Sequence, residues 1–215
     1  MKVTFYILLS FLIFASCERK KEKIELVKDT YYYSNLERFE EESNKIYIKL
    51  DSLSNFNQLL NEIDKIACDN KTPVVIFENE NSNFNLIPLF ECSKSRVISC
   101  PKARNEMVIT KDSINILFLE PIGLDSLSYF ANKHIQNYGK DYLFSESPKK
   151  AYFSIQKDSL LSLDKVEEIL IVISETFNKI NAEHGDSLPL SILIGSDKLV
   201  EIKPPPPPIN TAYNN

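Results

Sequence analysis

Hydrophobic residues in the first half of the chain follow the two-residue period of a strand and then the longer period of a helix. Residues 46–50, Ile-Tyr-Ile-Lys-Leu, alternate between apolar and polar as a half-buried strand does. Over residues 53–68 the apolar positions recur every three or four residues, which predicts an amphipathic helix behind the cap residues Asp51 and Ser52. The β-branched run at 72–77 predicts a buried strand. Together these segments predict a strand–helix–strand unit.

The last third of the chain repeats this order. Ala151–Ile155 predicts a strand, Leu163–Ala182 a helix, and Leu188–Ile194 another strand. The helix is apolar on every face around Ile169–Ile173, so we expect it to be the most enclosed helix of the domain. An Asp-Ser-Leu triplet follows the first strand of both units. Duplication explains this repetition, and so does chance, because the same triplet at Asp186–Leu188 precedes no helix.

The middle segment carries short strand candidates and one more helix candidate, which begins behind Asp125 and Ser126 and ends at Gly139. This mixture predicts a single α+β domain over residues 31–203, with a mixed or antiparallel sheet covered mainly on one face by two or three helices. The remaining predicted elements are an edge strand at 24–33, a short helix at 35–45, and strands at 84–90, 96–99, 107–110, 114–119 and 199–202.

The first seventeen residues have the form of a signal peptide. Lys2 gives a basic start, Val3–Ser16 contains no charge, and two small residues stand directly before Cys17. A helix over Val3–Ser16 would cover about 21 Å, which is well short of the roughly 30 Å hydrocarbon core of a membrane. We therefore expect residues 1–16 to be an export signal and not a permanent membrane span.

The segment Phe14-Ala15-Ser16-Cys17 resembles the lipobox of bacterial lipoproteins, with phenylalanine where leucine is usual. This resemblance implies cleavage before Cys17 and fatty acylation, such as palmitate, on Cys17 itself. Residues 17–30 would then be a lipidated cysteine and a charged tether, and the protein would be anchored by lipid to a cell-envelope membrane on its periplasmic or surface face. An ordinary secretory signal that contains a cysteine is the alternative.

Composition narrows the function classes. Without Lys2 the chain keeps 24 basic and 30 acidic residues, a balance that argues against a nucleic-acid surface. Its four glycines are too far apart to form a phosphate-binding loop, and we predict no cofactor. The five prolines at 204–208 end the folded structure, so residues 204–215 are predicted to be a disordered tail that acts as a spacer or as a ligand for an aromatic groove.

Three cysteines remain besides Cys17. Cys92 and Cys100 flank a short polar stretch, and we predict that a disulfide between them closes a hairpin, with Cys68 left as a free thiol. Free thiols throughout are the alternative. No metal site is predicted, because the spacing contains neither a C-x-x-C pair nor a nearby histidine.

Catalytic motifs are weak in this sequence. The chain has two histidines, and His134 is expected to be solvated on its helix. His184 lies near Asp186 and Ser187, but no nucleophile elbow accompanies them. The Glu78–Asn83 run is expected to be a polar turn and not a calcium loop. Candidates for paired carboxylates, each also explained by a solvated face or a helix cap, are Glu40–Glu42, Asp164, Glu167 and Glu168.

Two further features bear on binding. Tyr31–Tyr33 would form either a platform for a sugar or peptide or a cover over the edge of a sheet. The strand at Tyr152–Ile155, the helix at Lys165–Lys179 and the strand at Leu190–Ile194 resemble, in their order, the periplasmic domain of the ExbD/TolR family. That resemblance implies an envelope interaction module; the proton-coupling transmembrane helix of that family has no counterpart in this leader.

The sequence therefore predicts a cell-envelope lipoprotein that binds or scaffolds a partner, with the membrane reached through the lipid anchor and an envelope protein as the expected partner. An envelope hydrolase that uses paired carboxylates is the alternative. A deep cleft with converging ionisable groups would favour the enzyme, whereas a broad exposed apolar or aromatic patch would favour the binding module.

Overall fold

The computed structural model describes residues 28–33, 44–94, 102–158, 160–184 and 188–196. Within these residues the chain forms three α-helices and two mixed sheets, which confirms the α+β class; the strands divide into two sheets instead of one. The helices are α1 (Phe56–Cys68), α2 (Leu127–Ile135) and α3 (Leu163–His184). The strands are β1 (Asp29–Tyr33), β2 (Lys45–Lys49), β3 (Thr72–Glu78), β4 (Ser82–Leu86), β5 (Glu106–Ile109), β6 (Ser113–Asn115), β7 (Ile122–Gly123), β8 (Tyr152–Gln156) and β9 (Ile192–Ser196).

The first sheet has the strand order β1-β4-β3-β2. β2 and β3 are parallel neighbours joined by α1, so the predicted strand–helix–strand unit is confirmed. The helix begins later than expected. Leu50–Ser52 forms a short 3-10 turn, and the side chain of Asn55 caps α1 by accepting a hydrogen bond from the Gln58 N–H at 3.0 Å.

The second sheet has the order β7-β6-β5-β8-β9 and contains the second predicted unit. β8 and β9 are parallel neighbours, and α3 joins them. The two sheets meet where the chain continues past β4, because the Leu89 N–H donates a 2.7 Å hydrogen bond to the Ile192 carbonyl of β9. One hydrophobic core draws side chains from both sheets and all three helices, as a single domain requires.

The tyrosine triplet of β1 covers the edge of the first sheet. Tyr33 is buried, stacks on Phe84 at 6.2 Å, and donates a 2.7 Å hydrogen bond from its hydroxyl to Asn178 Oδ1 on α3. Tyr31 stacks on the same Phe84 ring at 5.9 Å, whereas Tyr32 is 62% exposed. The packing interpretation of the triplet therefore holds for its first and third members.

The disulfide joins Cys68 to Cys92, whose Cα atoms lie 4.6 Å apart, so the predicted bond between Cys92 and Cys100 is wrong. A cysteine sulfur can form only one disulfide bond. The sulfur of Cys92 is already bonded to Cys68, the last residue of α1, so it cannot also bond to Cys100. Asp64, one turn earlier on α1, holds the same loop: its carboxylate oxygens accept hydrogen bonds from the Ser93 N–H at 2.7 Å and the Ser93 hydroxyl at 2.9 Å.

Several predictions lie outside the described residues. These are the leader with Cys17, most of the helix at 35–45, the strands at 96–99 and 199–202, Cys100 and the proline-rich tail. Among the helices that the structure does describe, none has the length and apolar character needed to cross a membrane.

Candidate functional site

His134 lies in the core and not on the surface, so the prediction of a solvated histidine is wrong. Its ring is fully buried on the face of α2 that also carries Leu127 and Ala131. Nε2 is 2.9 Å from the Asn105 carbonyl, and Nδ1 accepts a 3.4 Å hydrogen bond from the Ser145 N–H. Nδ1 is therefore the acceptor and Nε2 carries the proton. Burial lowers the pKa of His134 from 6.5 to about 4, which keeps the ring neutral.

The segment after α2 is fixed by side-chain hydrogen bonds to its own backbone. Buried Asn137 donates to the carbonyls of Asp141 at 2.8 Å and Ser145 at 2.7 Å, and its Oδ1 accepts from the Asp141 N–H at 2.9 Å. Asn105 Oδ1 accepts from the Glu146 N–H at 2.9 Å. These polar groups build the scaffold, and their hydrogen-bonding capacity is used there.

Glu146 closes this segment between two lysines. Lys102 Nζ lies 2.6 Å from one carboxylate oxygen and Lys150 Nζ lies 2.7 Å from the other. Hydrogen bonds from Lys102 and then Lys150 lower the pKa of Glu146 to about 2. The carboxylate is therefore ionised at any pH above this value and is held in an ion-pair triad.

The outward side of α2 carries an open groove of about 610 Å³, which we call the α2 groove. Its side chains come from two successive turns of α2 and from the segment that follows the helix. Tyr129 and Asn132 of α2 and Gln136, the residue that caps the end of the helix, are spaced as neighbours on one side. The lining residues are Ser128, Tyr129, Asn132, Lys133, Gln136, Asn137, Lys140 and Asp141.

A left-handed turn forms the second wall of the groove. Tyr138 and Gly139 have φ angles of 48° and 76°, and this turn, which comes three residues after the end of α2, brings Lys140 and Asp141 back beside the helix. A Cβ atom at position 139 would lie 3.3 Å from the Glu146 carbonyl, so glycine suits both the angle and the space. The helix therefore stops earlier than the sequence indicates, while Gly139 does mark the turn.

The polar groups of the α2 groove divide into engaged and unengaged ones. Lys133 Nζ lies 3.6 Å from Asp141 Oδ2 and 4.4 Å from the centroid of the Phe144 ring. Ser128 shares a 2.9 Å hydrogen bond with Thr176 of α3. By contrast, four lining side chains make no hydrogen bond or ion pair with the described part of the chain: Tyr129 (through its hydroxyl), Asn132, Gln136 and Lys140.

A row of three aromatic rings in contact connects the exposed ring of Tyr129 to the core. Tyr129 is 64% exposed, and its ring meets Phe130 edge to face at 5.0 Å. Phe130 in turn stacks on buried Phe144 at 6.3 Å. Such a ring has little freedom left to lose when a ligand covers it. The α2 groove thus combines an aromatic ring that is fixed by its packing with two side-chain amides that have no partner among the described residues.

Of the carboxylates that the sequence suggested, the three that the structure describes do not line the groove. Asp164 is exposed, Glu168 pairs with Lys165 at 2.7 Å, and Glu167 accepts a 3.5 Å hydrogen bond from the Glu78 N–H, all on the first turns of α3. Glu40–Glu42, Asp186 and Ser187 lie outside the described residues. In the Glu78–Asn83 run, Asn79 Oδ1 accepts from the N–H groups of residues 81 and 82, which makes it the polar turn that was expected.

Two other clusters bring potentially reactive groups together. Ser154 Oγ donates a hydrogen bond to Glu106 on the neighbouring strand. The two residues are 48 positions apart, so nothing in the sequence indicated this pair. Ser154 is fully buried and therefore out of reach of a substrate. The ligand atoms of Asp64, Cys68 and Cys92 lie within 4.8 Å of one another. Their two sulfurs are bonded to each other, so neither is a thiolate that would bind a metal ion.

Comparison with models of known protein families, with characterised proteins and with solved structures finds no match to this chain.

Proposed function

We propose that the mature protein is a lipid-anchored component of the bacterial cell envelope and that its folded domain binds a ligand in the α2 groove. The observation that carries the binding role is the group of unengaged hydrogen-bonding side chains beside the held ring of Tyr129. Polar side chains that have no hydrogen-bond partner within their own protein can pair with a ligand at little cost in rearrangement. The lipobox-like segment ending at Cys17 supports the envelope location.

The chemistry of the α2 groove favours binding over catalysis. Asp141 is the one carboxylate among its lining residues, and Lys133 pairs with it. Glycoside hydrolysis by acid and base requires two carboxyl groups that face the same bond from about 5 to 9.5 Å apart. His134, on the same helix, is the core residue described above and faces away from solvent. A hydrolase would need a second carboxylate in the groove.

A cross-linking experiment in living cells tests the binding role. A photoreactive amino acid is placed at position 132 of the full-length, tagged chain, and the cells are irradiated before the protein is purified under denaturing conditions. We expect an adduct with an envelope component, because the Asn132 side chain is exposed in the groove. The matched control places the same amino acid at Asp112, whose side chain is 79% exposed in the turn between β5 and β6.

The pattern of adducts decides the outcome. An adduct at position 132 that is absent at position 112 supports the proposal. Equal adducts at both positions, or none at position 132 in cells where the protein is folded and anchored, would contradict a binding role for this groove.

A further inference from the structure

We infer that the ligand of the α2 groove is a saccharide, an inference that rests on the proposed binding role of the groove. A pyranose ring presents an apolar C–H face and a rim of hydroxyl groups, each of which both donates and accepts a hydrogen bond. Recognition of such a ring requires an apolar surface beside groups that also donate and accept. The α2 groove places both kinds of group on one side of the helix and its cap.

The donor and acceptor groups are Asn132 and Gln136. Gln136 directly follows the last residue of α2, and its N–H donates a 2.9 Å hydrogen bond to the Asn132 carbonyl, so the two side chains lie one helical turn apart on the same side. Each amide has two N–H donors and a carbonyl acceptor, which allows it to pair with two adjacent hydroxyl groups at once. Neither side chain has a partner in the described part of the chain, so pairing with a ligand breaks no existing hydrogen bond of the protein.

The apolar surface is the ring of Tyr129. It stands three residues before Asn132, is 64% exposed, and is held against Phe130. Aromatic rings that keep one polar end in water suit ligands that are apolar on one side and wet on the other. The Tyr129 hydroxyl adds a further unengaged polar atom at the same wall.

The charges of the groove argue against other ligand classes. Asp141 offsets Lys133. Among the lining residues, Lys140 is then the one charge with no ion-pair partner in the described segments, and a single cation is too few for a phosphate backbone. An extended peptide that binds as an added strand needs the free backbone groups of a sheet edge, whereas the wall here is a helix. Two kinds of saccharide fit this groove: a neutral one, or an acidic one whose carboxylate pairs with Lys140.

Binding of defined saccharides by the full-length protein in detergent tests the inference. Calorimetric titrations use chito-oligosaccharides and gluco-oligosaccharides as neutral ligands and oligogalacturonate as the acidic one. We expect at least one of them to bind and the affinity to fall tenfold or more in Tyr129→Ala and in the double variant Asn132→Ala/Gln136→Ala. Lys140→Gln distinguishes the two classes, because it should weaken the acidic ligand alone.

Two controls protect the result. Tyr32→Ala removes a tyrosine of nearly the same exposure from β1 and should leave affinity unchanged. Circular dichroism and thermal unfolding of each variant establish that the exposed substitutions leave the fold intact. Failure of the wild-type protein to bind any of the three saccharides would overturn the inference, and so would wild-type affinity in the Tyr129→Ala and double variants.

The cross-linking experiment separates this inference from the proposed function. If the adduct at position 132 contains a second protein, shown by mass spectrometry of its peptides, the saccharide inference fails while the binding role of the groove stands. If no adduct forms at position 132 and saccharide binding is unaffected by the groove variants, both fail.

Discussion

At the scale of single residues, His134 ties the segment after α2 to the second sheet. Its ring lies 5.7 Å from Phe153 of β8 and 6.4 Å from Phe144, centroid to centroid, and its two nitrogens bond to backbone groups of Asn105 and Ser145. A buried imidazole with both nitrogens paired is stable only in its neutral form here, since protonation would place a charge in the core and remove the acceptor for Ser145.

Stability should therefore fall on acidification between about pH 6.5 and pH 4. The pKa of His134 is lowered to about 4 in the folded protein, so within this range the unfolded chain binds a proton that the folded chain does not. From pH 7 to pH 5 we expect the free energy of unfolding to decrease by about 2 kcal/mol from this group. Urea unfolding at the two pH values measures it.

His134→Leu provides the control for this prediction. The variant has no imidazole at this position, so its unfolding free energy should change less between pH 7 and pH 5 than that of the wild type. Glu146 does not confuse the comparison, because a pKa lowered to about 2 makes its stabilisation fall only below about pH 4.5. An NMR titration in which the His134 ring protonates near pH 6.5 in the folded protein would contradict the prediction without any variant.

Gly139 is the second residue whose local geometry matters for the site. Gly139→Ala should destabilise the protein by about 1 kcal/mol, because alanine is strained at a φ of 76° and its Cβ would press on the Glu146 carbonyl. Gly123→Ala is the matched comparison: Gly123 has a φ of −62°, and its Cβ would meet only the Asp125 side chain, which is free to rotate away. Thermal unfolding of both variants measures the difference, and equal losses would show that the turn does not require glycine.

At the scale of secondary-structure elements, the disulfide and Asp64 fasten the last turn of α1 to the loop after β4. The bond closes a loop with a sequence separation of 24. Cross-links over loops of this length reduce the entropy of the unfolded chain. The carboxylate of Asp64 adds two hydrogen bonds to Ser93 at the same place.

Removing this disulfide with the double variant Cys68→Ala/Cys92→Ala should lower the free energy of unfolding by about 3 kcal/mol. Chemical denaturation under non-reducing conditions measures the loss. A peptide map of the unreduced protein provides the independent check, since it should contain Cys68 linked to Cys92. A peptide that links Cys92 to Cys100 would refute the pairing described here.

At the scale of the whole molecule, two strand–helix–strand units share one core. β2-α1-β3 and β8-α3-β9 both place their strands as parallel neighbours, which is the arrangement that short crossover connections favour in general. Their common topology therefore does not distinguish duplication from independent origin, and duplication stays a hypothesis. The two units differ in the neighbour of their second strand. β3 pairs antiparallel with β4, whereas β9 forms an isolated bridge with Leu89.

The proposed anchor belongs to this scale because it decides where the whole domain is located. In cells that produce the full chain, labelled palmitate should enter the wild-type protein and the protein should fractionate with membranes. Cys17→Ser should abolish the label and leave the leader uncleaved. Cys100→Ser, which changes another cysteine, should retain the label, and a Cys17→Ser protein that matures and fractionates like wild type would contradict the anchor.

The sequence by itself determined the elements whose hydrophobic period is long and regular. Four elements lie close to their predicted positions: α1, β3, β8 and α3. The apolar face of an amphipathic helix or a buried strand can be read from the spacing of its own apolar residues. The α+β class and the parallel pairing within each unit follow from the order of these elements. The end of α1 at Cys68 was also predictable, whereas its cap at Asn55 was not, since several polar residues there are equally good caps.

Only the tertiary structure decided which distant residues became neighbours. The bond from Cys68 to Cys92, the burial of His134 against Asn105, and the division into two sheets all depend on contacts between segments that are well separated along the chain. The α2 groove is of the same kind. The sequence spacing could place Tyr129, Asn132 and Gln136 on one side of the helix and its cap, but it could not show that these polar groups have no partner in the part of the chain that the structure describes. Local periodicity reports which side of an element is apolar, while the partner of a polar atom is set by packing across the whole fold.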